Sequence, residues 1–186
     1  MHERPRVPLR RRGGAAAASL AVLVPCLLLT GCGAAPAPEP TPAPAPSLTQ
    51  EQQDDEAFHD VLTRYVDLDA NTDTEDNLAQ LLTGSVLAGE KAGLADERQK
   101  GVRTSGKDVM SGFQVTDRGL DPAGAEYMTA QVCLDVSGSR LIDSTGADIT
   151  PVRDPRLSLQ VKAIRSQDAL WRISDIVRNE DVHACG

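Results

Sequence analysis

The spacing of the apolar residues changes at Gly101, and this change constrains the fold more than any other feature of the sequence. Before Gly101 the apolar side chains recur every three or four residues, which is the spacing of one helix face. After it they alternate with polar ones, as in strands with one buried face. The helical series is Phe58, Val61, Leu62, Tyr65 and Leu68, and the alternating series are Met128, Ala130, Val132, Leu134 and Leu157, Leu159, Val161. Helices followed by antiparallel strands predict an α+β domain with its N-terminal helices packed on the sheet.

Local signals give the ends of these elements. Thr49, with Gln52 three residues later, predicts a capping box at the start of the first helix, and Thr74 is the expected cap of the second. Gly84 is expected to separate the second helix from a third that ends near residue 100. The turn at residues 137–139 predicts a short strand, residues 140–143, that pairs back on the strand before it.

Residues 1–46 have a composition typical of export and tethering rather than of folding. Five arginines precede an uncharged, mostly apolar stretch at residues 15–30, which is shorter than the roughly 20 residues that span a bilayer. It ends in Leu29-Thr30-Gly31-Cys32, which resembles the lipobox of bacterial lipoprotein precursors. The resemblance implies that residues 1–31 are a signal peptide and that the Cys32 sulfur carries a diacylglyceryl group. An ordinary secretory signal with an incidental cysteine is the alternative, and the export route stays open.

The segment after the lipobox is a tether. Prolines occupy every second position from Pro36 to Pro46, which forbids a helix and favours polyproline II. Residues 32–46 are therefore interpreted as the lipidated cysteine and an Ala/Pro-rich linker that reaches on the order of 40 Å. We expect residues 47–186 to form one α+β domain on the outer face of the cell membrane, with the membrane as a partner through Cys32.

The charge of the folded part excludes one class of partner. Residues 47–186 contain 25 acidic and 14 basic residues, a net charge of −11. Such a charge repels the phosphate backbone of nucleic acids. The five aromatic residues of this part all lie within apolar patterns and offer no stacking platform for bases. We therefore predict no nucleic-acid partner.

Two cysteines remain in the exported domain, residues 47–186: Cys133 and Cys185. An even pair outside the cell is usually a disulfide, and free buried thiols are the alternative. Cys133 falls on the strand face opposite Val132 and Leu134, so the tail at residues 179–186 is expected to cross that outer face and be linked there. A catalytic thiol is disfavoured because no residue is evident that would orient His183 as its base.

No metal site is predicted. The acidic stretch at residues 67–75 matches alternate positions of a calcium loop, but Thr72 stands where glycine is needed and Leu78 where a bidentate glutamate is needed. The preferred interpretation is an interhelix loop, with a calcium site as the alternative. His59 and His183 are the only histidines after Cys32, too few for a histidine-rich metal site.

The order of several segments resembles a known family. The segments, in chain order, are Tyr65-Val66-Asp67, Leu81-Leu82-Thr83-Gly84, Gly101-Val102-Arg103, Val132-Cys133-Leu134-Asp135-Val136-Ser137 and Trp171-Arg172-Ile173. In this order the chain resembles, over about residues 50–186, small actinobacterial lipoproteins with a nuclear-transport-factor-2-like, cystatin-like cone-shaped domain. The resemblance implies a strongly curved sheet wrapped around the helices, often with a cavity at the open end. It implies no particular activity, because this superfold carries many functions.

The functional prediction is accordingly a binding or accessory domain without catalytic residues and without a cofactor. Its expected partner is another envelope protein or a small apolar ligand. Tyr65 and Trp171 are the candidates to line a cavity, with core packing as the alternative for both. An isomerase or hydratase would need an ionisable group inside the cone, and the predicted inner face of the sheet contains none. A purely structural envelope protein is the third hypothesis.

Overall fold

The structure is a computed structural model, and it describes residues 47–186. The predicted signal peptide, Cys32 and linker lie outside the described residues. Helices α1 (Gln50–Val66), α2 (Glu75–Leu81) and α3 (Gly84–Lys100) come first, followed by β1 (Arg103–Ser105), β2 (Val109–Leu120), β3 (Glu126–Asp135), β4 (Arg140–Ile142), β5 (Arg156–Arg165), β6 (Trp171–Arg178) and a 3₁₀-helix at Glu180–Val182. The predicted α+β class is confirmed. Among these helices, none has the length and apolar character to cross a membrane.

The helix ends follow the predicted caps. The Thr49 hydroxyl accepts a hydrogen bond from the Gln52 N–H at 3.2 Å, and the Gln52 side chain accepts one from the Thr49 N–H at 2.9 Å. This reciprocal pair satisfies two donors that the first turn of a helix leaves unpaired. The Thr74 hydroxyl caps α2 by accepting a single hydrogen bond, from the Asn77 N–H at 3.3 Å.

Four strands form the main antiparallel sheet in the order β2-β3-β5-β6, and the helices pack on one face of it. The core lies between these layers and is built from alternate residues of the strands and the apolar stripe of α1. Its most buried side chains are Phe58, Leu82, Met128, Val132, Val161 and Ile173. The link between α2 and α3 also joins the sheet, because the Thr83 N–H donates to the Ile173 carbonyl oxygen at 2.9 Å.

The short strand after residues 137–139 pairs differently from the prediction. β4 does not return onto β3 but pairs with β1 in a separate two-stranded sheet. The chain leaves the main sheet at Val136, whose N–H donates to the Pro155 carbonyl oxygen at 2.8 Å, and it is then held against the turn before β2. There the backbones of the two turns are in close contact: a side chain on Gly106 would overlap the Gly138 carbonyl oxygen, and one on Gly138 would collide with the Lys107 carbonyl oxygen.

The outer face of the sheet is partly covered by the C-terminal tail. Cys133 and Cys185 form the predicted disulfide, which joins the C-terminal part of β3 to the tail after β6. The Cys185 N–H donates to the Ser158 hydroxyl at 3.3 Å, and the Asn179 side-chain amide donates to Gln160 Oε1 at 3.0 Å. Cys133 and Ser158 are buried beneath the tail although both lie on the face opposite the helices.

β2 is an edge strand in the described domain, with β3 as its neighbour on one side. Its pairing with β3 shifts register twice, between Ser111 and Gln114 and between Val115 and Asp117. Such shifts bend and twist a strand locally and interrupt its hydrogen-bond ladder.

Candidate binding cleft

A cleft of about 620 Å³ opens at the end of the domain where the helices meet the two-stranded sheet. Its walls come from the C-terminal end of α1, the loop at residues 67–73, one face of α3, β1 and the turn at residues 106–108. The volume lies within the range of small-molecule sites, which is about 300–1,000 Å³. The interior face of the main sheet, by contrast, is covered by helices and forms the core.

The cleft combines an apolar floor with an acidic rim. Leu68, Leu78, Leu94 and Leu134 are among its apolar lining residues. Its charged lining consists of Lys107 and six carboxylates, which are Asp67, Asp69, Asp73, Glu90, Glu97 and Asp108. None of these six carboxylates forms an ion pair with any residue in 47–186. The cleft therefore has a negative field that its single lysine does not balance.

Tyr65, at the end of α1, places a hydroxyl at the rim. The hydroxyl donates a hydrogen bond to Glu90 Oε1 at 2.9 Å, which fixes the carboxylate of α3 against α1. Burial, followed by the negative charge of Glu90, raises the pKa of Tyr65. The phenol therefore stays protonated at neutral pH and remains a donor.

The acidic loop at residues 67–73 is held by its own hydrogen bonds. Asn71 pins it to β1, because its amide donates to the Thr104 carbonyl oxygen at 3.0 Å and accepts from the Thr104 N–H at 3.1 Å. The Asn71 N–H and its side-chain amide both donate to Asp69, and these bonds hold the pKa of Asp69 below its usual range. In the described part of the chain, no three His, Cys, Asp or Glu residues come together as a metal site would require. The loop therefore serves as a wall of the cleft.

Asp108 enters the cleft from the turn before β2 and is supported from behind. Its Oδ1 accepts a hydrogen bond at 2.5 Å from the hydroxyl of Ser139, which is buried. The Arg153 guanidinium donates to that same hydroxyl at 2.8 Å and to the Val136 carbonyl oxygen at 3.0 Å. The loop that follows β4 thus helps, through Arg153, to fix a carboxylate that faces the cleft.

Glu97 has the one carboxyl of the rim whose pKa is raised, first by burial and then by the charges of Glu90 and Asp96. A carboxyl with a higher pKa when folded favours the folded state at low pH, and this advantage is lost as pH rises from about 4.5 through the folded pKa. We therefore expect Glu97→Gln to stabilise the domain at pH 7, by about 0.5 kcal/mol because the site is partly solvated.

Urea unfolding of the wild type and the Glu97→Gln variant at pH 7 and pH 4 tests this expectation. The gain should vanish at pH 4, because Glu97 is then protonated in the wild type as well. A gain of equal size at both pH values would contradict the assignment. Asp175→Asn, at an exposed carboxylate on β6 outside the cleft lining, serves as the control.

The two residues proposed as cavity lining have different positions. Tyr65 lines the cleft, and Trp171 does not. Trp171 opens β6 and packs into the core, where its Nε1–H donates to Asp54 at 3.3 Å and Arg165 lies over its ring at 5.8 Å. The reason is that the first inward position of β6 lies beneath α1, at the far end of this helix from Tyr65.

Glu90, Glu97 and Asp108 were missed as site residues by the sequence reasoning. Glu90 and Glu97 are seven residues apart, which is two turns of α3, and they flank buried Leu94 on that face. This spacing could have indicated from the sequence that the two carboxylates share one face of α3. No comparable signal in the sequence pointed to Asp108, because its position depends on the pairing of β1 with β4.

The remaining candidates for chemistry lie elsewhere. His59 is exposed on α1 and packs edge-on against Phe113, with ring centroids 5.0 Å apart. His183 lies in the tail, and both cysteines of the domain are in the disulfide, so neither is a nucleophile in this state.

Neither a protein-family model nor a curated protein matches the sequence. Among solved structures, the intermembrane-space region of the chloroplast protein ARC6 is similar, with 14% identity, 72% of this chain and 98% of that chain covered, and a TM-score of 0.48. A periplasmic fragment of TraM has 16% identity, coverage of 70% and 99%, and a TM-score of 0.44. Aln2 from a Streptomyces species has 15% identity, coverage of 75% and 98%, and a TM-score of 0.35. At these values neither architecture nor function is carried over to this chain.

Proposed function

We propose that this chain is a lipid-anchored extracytoplasmic lipoprotein whose domain binds a ligand in the acidic cleft without catalysing a reaction. The cleft is the observation that carries the proposal, because it joins an apolar floor to six carboxylates that form no ion pair within the described domain. The lipobox and the proline-rich tether support the location. Membership among the lipoproteins with a cone-shaped domain is part of the same proposal.

The chemistry of the cleft selects the kind of ligand. The leucine side chains favour a ligand with a short apolar segment, and the carboxylates at the rim favour a positively charged group next to that segment. An ammonium has three donors and no acceptor, which suits carboxylates such as Glu90 and Asp108. The ligand is therefore a primary ammonium group on an aliphatic chain. It belongs either to a small molecule or to a lysine side chain of an envelope protein.

Hexylamine and hexan-1-ol are matched probes for this proposal, because they differ mainly in the charge of the head group. Chemical shift changes in the NMR spectrum of residues 47–186 should map hexylamine to the cleft, with a dissociation constant on the order of 1 mM for so small a ligand. Hexan-1-ol should bind about tenfold more weakly. The expected changes are at Tyr65 and Leu94.

Glu90→Gln should weaken the binding of hexylamine about threefold and leave that of hexan-1-ol unchanged. Asp175→Asn, at an exposed carboxylate on β6 outside the cleft lining, is the matched control and should change neither. Equal affinity of the wild type for the two probes would contradict a charge-selective cleft, and no shift with either probe would contradict a binding function there.

The anchor is tested separately in the full chain. Cys32→Ser should release the protein from the membrane fraction and remove the mass of the acyl chains. Retention of Cys32→Ser with the membrane, without loss of acyl mass, would contradict the anchor.

An isomerase or hydratase is the second candidate, favoured by the raised pKa of Glu97 within a cleft that also holds the donor Tyr65. A carboxylate base would abstract a proton from carbon next to a carbonyl group. The test is exchange of that proton for deuterium in simple ketones, followed by NMR. Exchange that the wild type accelerates and Glu97→Gln abolishes would favour the enzyme over the binding domain.

A further inference from the structure

Asp108 differs from the other carboxylates of the cleft in how it is held. Asp69 is held by Asn71, which is exposed, and Glu90 by Tyr65, which is half-buried. The partner of Asp108 also lines the cleft but is more deeply buried, because Ser139 is 6% exposed and donates to Asp108 Oδ1. A carboxylate that is locked by a buried partner has little freedom to follow a ligand, so it discriminates between ligands more strictly than a mobile one.

The hydrogen bonds that support Asp108 continue from Ser139 to Arg153, which in turn is held by backbone carbonyl oxygens. The guanidinium donates to the Ser139 hydroxyl at 2.8 Å and to the carbonyl oxygens of Val136 and Ser139 at 3.0 and 3.1 Å. The Ser139 hydroxyl has one proton to donate, and Asp108 Oδ1 at 2.5 Å is a much closer acceptor than the Val136 carbonyl oxygen at 3.4 Å, so Asp108 receives it. The Arg153 guanidinium itself forms no ion pair with Asp108, whose negative charge is therefore not neutralised by a salt bridge within the described residues.

The backbone around Asp108 is fixed as well. The turn at residues 106–108 is clamped to the turn that carries Ser139, because the backbones of Gly106 and Gly138 are in contact. Lys107, next to Asp108, lines the same wall of the cleft. The donor and the carboxylate therefore move as one unit.

We infer that Asp108 is the residue that determines the charge specificity of the cleft, and that Ser139 and Arg153 are its positioning residues. The inference rests on the proposed binding function and adds to it the carboxylate that distinguishes an ammonium group from an uncharged one. Asp108 contributes the larger part of the preference for a cation over an uncharged ligand of the same shape, and Glu90, bonded to Tyr65, contributes the smaller part.

The test uses the ratio of the hexan-1-ol and hexylamine dissociation constants, measured by NMR on residues 47–186. Asp108→Asn keeps the shape and still accepts from Ser139 but removes the charge, so the ratio should fall from about tenfold to about twofold. Ser139→Ala and Arg153→Gln should each reduce the ratio about threefold while the affinity for hexan-1-ol is unchanged. A role in stability alone would weaken both probes together.

Three outcomes are informative. A ratio that falls with Asp108→Asn and with Ser139→Ala supports the inference. A wild type that prefers hexylamine, with Asp108→Asn unchanged and Glu90→Gln reduced to a ratio near one, would overturn the role of Asp108 and leave the proposed function standing. A wild type that binds neither probe would overturn both. If Ser139→Ala does not fold, Asp108→Asn and Arg153→Gln decide, because neither empties a buried position.

Discussion

Gly106→Ala is expected to lower the free energy of unfolding by about 3–4 kcal/mol, in urea titrations followed by the fluorescence of Trp171. Two costs add. The φ angle of Gly106 is 83°, a backbone conformation that costs a residue with a side chain about 1–2 kcal/mol. The new methyl group would also overlap the carbonyl oxygen of Gly138, so the two turns must separate, which costs about 2 kcal/mol more.

Gly124→Ala separates these two costs. Gly124 has a φ angle of 84°, nearly the same as that of Gly106, but a methyl group there would meet nothing within 4 Å. Its expected cost is therefore the backbone part alone, about 1–2 kcal/mol. Equal destabilisation by the two variants would show that the contact between the turns at residues 106 and 138 contributes nothing.

The second large effect is expected at the disulfide. Replacing both Cys133 and Cys185 with alanine should cost about 4 kcal/mol in the free energy of unfolding. The bond joins residues 52 apart in sequence, and closing a loop of that size removes much of the entropy of the unfolded chain. Urea unfolding of the variant and of the oxidised wild type measures the difference.

Reductant provides the control for this prediction. Dithiothreitol should destabilise the wild type by a similar amount and leave the double alanine variant unchanged. The reduced tail should also become sensitive to proteases after residue 178, because the few remaining hydrogen bonds, such as that between Asn179 and Gln160, are weak alone. A wild type that stays equally stable and protected in reductant would contradict a stabilising role of the bond.

The parts of the fold that depend on neighbouring residues could be predicted from the sequence. Thr49 and Gln52 are three residues apart, and their hydrogen bonds form as the capping-box rule requires. The alternation around Cys133 placed this residue on the outer face, where Cys185 meets it. Both inferences use the period of a single element, which side-chain sterics fix locally.

The position of the cleft could not be predicted in the same way. β4 pairs with β1, and the residues that pair, such as Arg140 and Ser105, are far apart in sequence. The sequence showed the turn at residues 137–139 but not the partner of the strand that follows it. Asp108 enters the cleft only because this pairing brings its turn to Ser139. Long-range pairing of short strands leaves little trace in local composition, because it depends on how larger elements have already packed.

The two register shifts in β2 have a consequence for copies of this domain at high local concentration. An unpaired strand edge is then a hazard for intermolecular β-aggregation. The shifts at residues 111–114 and 115–117 divide the edge into short lengths that do not share one straight line of donors and acceptors. A neighbouring copy can therefore match only a few residues of the β2 edge before alignment fails, which disfavours edge-to-edge association through this strand.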